Sequence, residues 1–181
     1  MLNSPVRRGT PIVAFGAGLV AGGVLTAAGL LVVGSLLRAP LPVPVRWTVV
    51  WLAAAGVLVR ELGVVRVRLP ENRRLVPESV LRLGRYLGPF QFGLEMGTGM
   101  RTYLPSGLPY AALIAVALAA PPAGALLAGA GFGLGRLLMT VANLRYSDDH
   151  RWDDAWRAYA RGMIAAMWLV FAVSLAAVTA G

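Results

Sequence analysis

The sequence predicts an all-α, polytopic membrane helix bundle of five spans, with a broken or re-entrant helical element at 86–109. Three observations carry that expectation. The chain of 181 residues is 57% hydrophobic and only 14% charged, with a mean hydropathy of +0.68, whereas a soluble domain of this size needs a largely polar surface. Its apolar residues fall in long blocks separated by short connections, as bilayer-crossing helices require. Its basic residues, all arginine, give a net charge of +9 and gather in alternate connections, the pattern that keeps positive loops cytoplasmic. Arginines placed between apolar blocks do not form a soluble basic face, so nucleic acid is not expected as a partner. The absence of lysine beside abundant Ala, Gly, Arg and Val points to GC-rich codons and a bacterial genome.

The first span covers residues 11–37. Arg7 and Arg8 ahead of it give it the look of a secretion signal, but 27 apolar residues exceed the hydrophobic region of a signal and fit a retained helix. A proline-rich turn over Arg38–Arg46 cannot continue that helix. The second span, 47–65, carries Arg60 and Glu61, read as its interfacial end. A basic loop, 66–85, follows with six arginines against Glu71 and Glu78 and is the strongest cytoplasmic marker; its stretch Val76–Leu87 has the composition of a helix lying on the membrane surface.

Residues 86–120 are too long for one straight span and carry Gly88, Pro89, Gly97, Gly99, Pro105, Gly107 and Pro109. A broken helix is expected there, interrupted between Gly97 and Pro109, and irregular backbone at membrane depth must face protein or a wet cavity. Pro121 and Pro122 turn the chain into a glycine-rich span, 123–143. A polar loop, Arg145–Arg161, leads to a last uncharged span, 162–180. If 86–120 crosses once, fourteen arginines lie on the amino-terminal side and two on the other; if it crosses twice the split is nine against seven. The first arrangement fits the positive-inside pattern, with the amino terminus cytoplasmic and the carboxyl terminus external in a cell (inner) membrane.

Within the broken element, Glu95 is the one acidic residue of an apolar stretch, which marks either a proton, ion or solute path or an interfacial pairing with Arg101 or another arginine. Pro105 and Pro109 would each remove a backbone donor and free carbonyls one turn upstream, as in the discontinuous helices of transporters, or else merely kink a helix; Ser106 and Tyr110 add hydroxyls beside them. Arg136 either extends its side chain to the interface or serves as counter-ion to Glu95 or an anionic solute. Gly18 and Gly22, Gly129 and Gly133, and Gly131 and Gly135 are each spaced for close helix contact, inside the fold or between subunits. In the loop before the last span, Asp149, His150, Asp153 and Asp154 are better explained by a helix with Trp152, Trp156 and Tyr159 on one face than by a metal site.

The segment Gly88-Pro-Phe-Gln-Phe-Gly-Leu-Glu through Leu104-Pro-Ser-Gly-Leu-Pro-Tyr, with Gly124–Arg136 after it, resembles the second-repeat broken helix and following helix of the CcdA/DsbD transmembrane electron-transfer family. In that resemblance Pro105 and Pro109 match the two prolines of the break, and Ser106 stands where the family has its redox cysteine. The resemblance therefore implies a related fold put to another purpose, such as small-solute transport. With no cysteine in the chain, disulfides, thiolate metal sites and thiol nucleophiles are all excluded. No catalytic triad, zinc motif, carboxylate pair or phosphate loop is present in the sequence, so neither an enzyme nor a cofactor is expected. The expected partners are the lipid bilayer and either further copies of the chain or another membrane protein. The expected role is an accessory or scaffold subunit of a membrane complex, the alternative being a small-solute or ion permease or exporter with its site in the broken helix.

Overall fold

The computed structural model describes residues 10–65, 83–99, 106–146 and 151–180, and these form six helices: α1 (Thr10–Arg38), α2 (Val43–Glu61), α3 (Leu87–Gly97), α4 (Leu108–Leu118), α5 (Pro122–Tyr146) and α6 (Arg151–Ala180). Four of them, α1, α2, α5 and α6, are long and apolar enough to cross a bilayer. The chain is thus a multi-pass helical membrane protein. Among the described residues no polar or charged residue is fully buried, while leucines and valines such as Leu25, Val32, Leu52, Leu127 and Leu138 stand exposed, the distribution suited to an apolar solvent.

The helix ends differ from the sequence expectation for local reasons. The proline-rich turn closes within 39–42, and α2 begins at Val43 rather than Trp47. Pro44 falls in its first turn, where a missing N–H removes no intrahelical bond. At its other end α2 stops at Glu61, short of Val65, because Gly63 adopts a left-handed φ of 79°. Its N–H bonds the Arg60 carbonyl and the Val64 N–H reaches back to Val59, a Schellman ending. The polar stretch before the last span is largely helical too, with α6 starting at Arg151, eleven residues ahead of the expected span. Most of the basic loop, 66–82, lies outside the described residues; Arg85 stacks its guanidinium 5.7 Å from the Tyr86 ring.

The residues divide into two compact units, one through Met139 and one from Thr140 onward. In the first, α1 is the axis. Gly18 and Gly22 meet the α3 backbone at Phe90, Leu94 and Gly97, while Gly93 and Gly97 meet Phe15 and Leu19 in return. Residue numbers rise together along that contact, so α3 runs parallel to α1. Against α5 they run oppositely: Gly16 faces Leu137, and Gly23 faces Gly129. Phe15 and Leu19 are the buried centre, with Ile12, Phe92, Met96 and Leu137 around them and the Phe15 and Phe92 rings 5.8 Å apart.

The second unit contains α6, whose hydroxyls bond within the helix, Ser174 to the Val170 carbonyl at 2.8 Å and Thr179 to Ala176 at 2.9 Å. Such bonding meets the hydroxyl's needs without water. Trp168 is buried and meets Phe171 edge-on, with centroids 6.0 Å apart.

Candidate functional site: the break between α3 and α4

The described residues of 86–120 form two 11-residue helices, with Thr98 and Gly99 leaving the first and Ser106 and Gly107 entering the second in non-helical turns; residues 100–105 lie outside the described residues. Gly99 ends α3: its φ of 72° is left-handed, and its N–H turns back to the Met96 carbonyl. The Thr26 hydroxyl of α1 lies 3.3 Å from the Thr98 carbonyl and 3.0 Å from that of Gly22, so α1 supplies a donor where α3 runs out of them. Thr26 stands sixteen residues from the start of α1 and twelve from its end, roughly 24 and 18 Å along the axis at 1.5 Å per residue. The break therefore begins near the middle of the longest apolar helix but one.

At the far side of the break α4 starts on Gly107, and its amino terminus is met by a carboxylate from α2. Glu61 accepts hydrogen bonds from the Gly107 N–H at 2.9 Å and from the Ser106 hydroxyl at 3.1 Å. Ser106 in turn accepts from the Leu108 N–H at 3.1 Å, so two of the orphan donors of the first turn are satisfied by one acidic group and the serine it orients. Pro109 lies in that first turn, where it starts a helix instead of freeing carbonyls upstream, contrary to the expectation from its spacing with Pro105. Negative charge at a helix amino terminus also complements the helix dipole.

The other end of α4 receives the opposite charge. Arg38, the last residue of α1, donates from Nε to the Ala117 carbonyl at 2.7 Å and from a terminal nitrogen to Val116 at 2.6 Å. Gly34 lets the α4 backbone approach there, since a methyl group on it would overlap the Ala117 carbonyl. Arg46 closes the neighbouring turn by donating to Leu41 at 2.7 Å and Arg38 at 2.8 Å. Because α4 ends beside the end of α1 and begins beside the end of α2, it runs parallel to α1 and antiparallel to α2. Together α3 and α4 follow α1 from Phe15 to Arg38, a rise of about 35 Å, close to the thickness of a hydrocarbon core.

The other expected residues distribute around this geometry. Glu95 is half-buried on α3 and accepts from the Gln91 amide at 3.3 Å, one turn away. Arg136 is half-buried on α5 with its guanidinium 5.9 Å from the Phe132 ring; Gly133, beside it in sequence, contacts Leu19 and Val20 of α1. Tyr110 is half-buried in the first turn of α4. Arg101, Pro105, Asp149 and His150 lie outside the described residues. Of the glycines, Gly18, Gly22, Gly129 and Gly133 sit against neighbouring backbone, whereas Gly131 and Gly135 are exposed with no atom within 4 Å of an added Cβ. Sequence reasoning missed Glu61 and Arg38 as members of the site. The available signal was that each is the lone charge of its type closing an apolar helix, but their partners lie 45 and 79 residues away.

No family model matches this chain, and neither curated proteins nor solved structures show a significant similarity to it.

Proposed function

We propose that the protein is a small-solute or ion permease of five crossings, with α3 and α4 together forming the third and the break between them carrying the path. The observation that supports this most is the carboxylate of Glu61 set, with Ser106, at the start of a half-helix whose other half ends near the middle of α1. Glu95, half-buried on α3 within one turn of the break, adds an ionisable group inside the crossing, and such groups are costly and persist where something must be bound or passed. A discontinuous helix supplies the polar backbone such a path needs without exposing it to lipid. Five crossings place the arginine-rich amino-terminal side in the cytoplasm and the carboxyl terminus outside. Reporter fusions at both ends test this: a cytoplasmic reporter active after Gly181 would contradict it.

Function is tested by reconstitution. Liposomes holding the purified protein should pass protons, read by an internal pH dye, or glycerol, read by light scattering, faster than protein-free liposomes. That flux should be lost in Glu61→Gln. A second reading, an accessory subunit of a membrane complex, is favoured by the outward Gly131 and Gly135, which are spaced for contact with a further helix. Absence of flux together with a membrane protein that stays bound through purification in mild detergent would select it.

A further inference from the structure

We propose that the tip of the α1–α2 hairpin binds the phosphodiester of an anionic phospholipid at Arg38 and Arg46, with the acyl chains lying on the apolar residues that flank them. This goes beyond the reading above and holds whether the protein conducts a solute or serves a complex.

The two guanidinium groups are fixed in place but not neutralised. Arg38 gives two of its five N–H donors to the Ala117 and Val116 carbonyls, and Arg46 gives two to those of Leu41 and Arg38. Three donors on each are left over. Because the Arg46 guanidinium rests on the Arg38 carbonyl, the two groups stand about one side chain apart. Neither has a carboxylate partner among the described residues, and the sequence explains why: no Asp or Glu precedes Glu61, and none lies between Glu95 and Asp148. Glu61 closes the opposite end of α2, fifteen residues from Arg46 or roughly 22 Å along the helix. Leu94 and Gly97, on either side of Glu95, meet α1 at Gly22, sixteen residues before Arg38 or roughly 24 Å away. The carbonyl ends of α1 and α4, on which the arginines sit, offset about half a charge each. About one positive charge therefore remains, which a single phosphodiester balances.

The surroundings favour a lipid headgroup over a free phosphate. Arg38 ends a helix long and apolar enough to cross a bilayer, so the pair lies at headgroup level. Leu36, Leu37, Val43 and Val45 stand exposed beside it along the chain, a surface for acyl chains that a soluble ion would not use. Trp47, half-buried next to Arg46, is of the residue type enriched at that depth. Guanidinium suits the ligand as well, since its planar fork makes paired bonds to phosphate oxygens.

The chain has no cysteine, so a single fluorophore on Ala39→Cys, exposed in the turn, reports on this place alone. The full-length protein in dodecyl maltoside is titrated with phosphatidylglycerol or phosphatidylcholine carrying a doxyl quencher near the head of one acyl chain. Phosphatidylglycerol should quench with a half-point about tenfold lower than phosphatidylcholine. Arg46→Gln should raise that half-point about fivefold, and Arg38→Gln together with Arg46→Gln about thirtyfold, a factor of about five for each arginine near the surface. Arg85→Gln, exposed and remote from the pair in sequence, should leave it within about twofold. Inorganic phosphate in about tenfold excess over lipid should not relieve the quenching. Equal half-points for the two lipids, an unchanged half-point in the double variant or an equal rise in Arg85→Gln would overturn the proposal. Relief by inorganic phosphate would overturn it too, because the site would then be one for a soluble anion. If the double variant does not accumulate, the comparison of the two lipids with both arginines in place decides alone.

Discussion

The α3 and α4 helices have the same length and follow the same neighbour in succession, yet different means hold them in place. The α3 helix relies on glycine, which lets two backbones touch; a methyl at Gly22 or Gly93 would overlap a carbonyl of the facing helix. The α4 helix has one such point, at Gly34, buries Ala111, Ala117 and Leu118 along its length, and receives Glu61 and Arg38 at its poles. In lipid no hydrophobic drive separates helix from solvent, so van der Waals contact and polar bonding must do the work. The two half-helices draw on these two resources in different proportion. Contact fixes an element everywhere along its length, whereas polar bonding fixes it at points that a change of charge can undo.

Substitutions that attack each resource should rank accordingly. Gly22→Leu forces a side chain into the Leu94 and Gly97 backbone and should cost about 2–3 kcal/mol or prevent folding, read by denaturant titration in detergent. Glu61→Ala leaves the α4 donors without their acceptor and should cost about 1–2 kcal/mol in the same titration. Arg38→Gln keeps a donor for one carbonyl while losing the charge and should cost about 1 kcal/mol. At Gly131 an added Cβ meets nothing within 4 Å, so Gly131→Ala should cost no stability. A cost at Gly131 as large as that at Gly22 would erase the distinction between packed and outward glycines within the first unit.

The same contrast explains what could be read from the sequence. Small residues four apart and apolar runs of about 20 residues are local patterns, so the long helices and the pairs Gly18 with Gly22 and Gly129 with Gly133 were visible as candidates before the structure. The break was visible too, because 86–120 is too long for one span and carries Pro105 and Pro109 together with Gly97, Gly99 and Gly107. What a local reading could not tell was which glycines turn inward: Gly131 and Gly135 share the spacing of Gly129 and Gly133 but lie on another face of α5. Nor could it find the poles of α4. Glu61 reads from sequence only as the interfacial end of α2, since its bonds to Ser106 and Gly107 appear once α2 and α4 are brought antiparallel, and Pro109 looks like a breaker until it is known to open a helix.

The central claim is that α3 and α4 make one crossing with the break inside it. Cysteines introduced singly at Arg85, before α3, and at Ala123, after α4, both exposed, report which side of the membrane each occupies when a membrane-impermeant maleimide is applied to sealed vesicles of known orientation. One broken crossing predicts that the two positions react from opposite faces. Reaction of both from the same face would mean that the pair dips into the bilayer and returns, and would contradict the account.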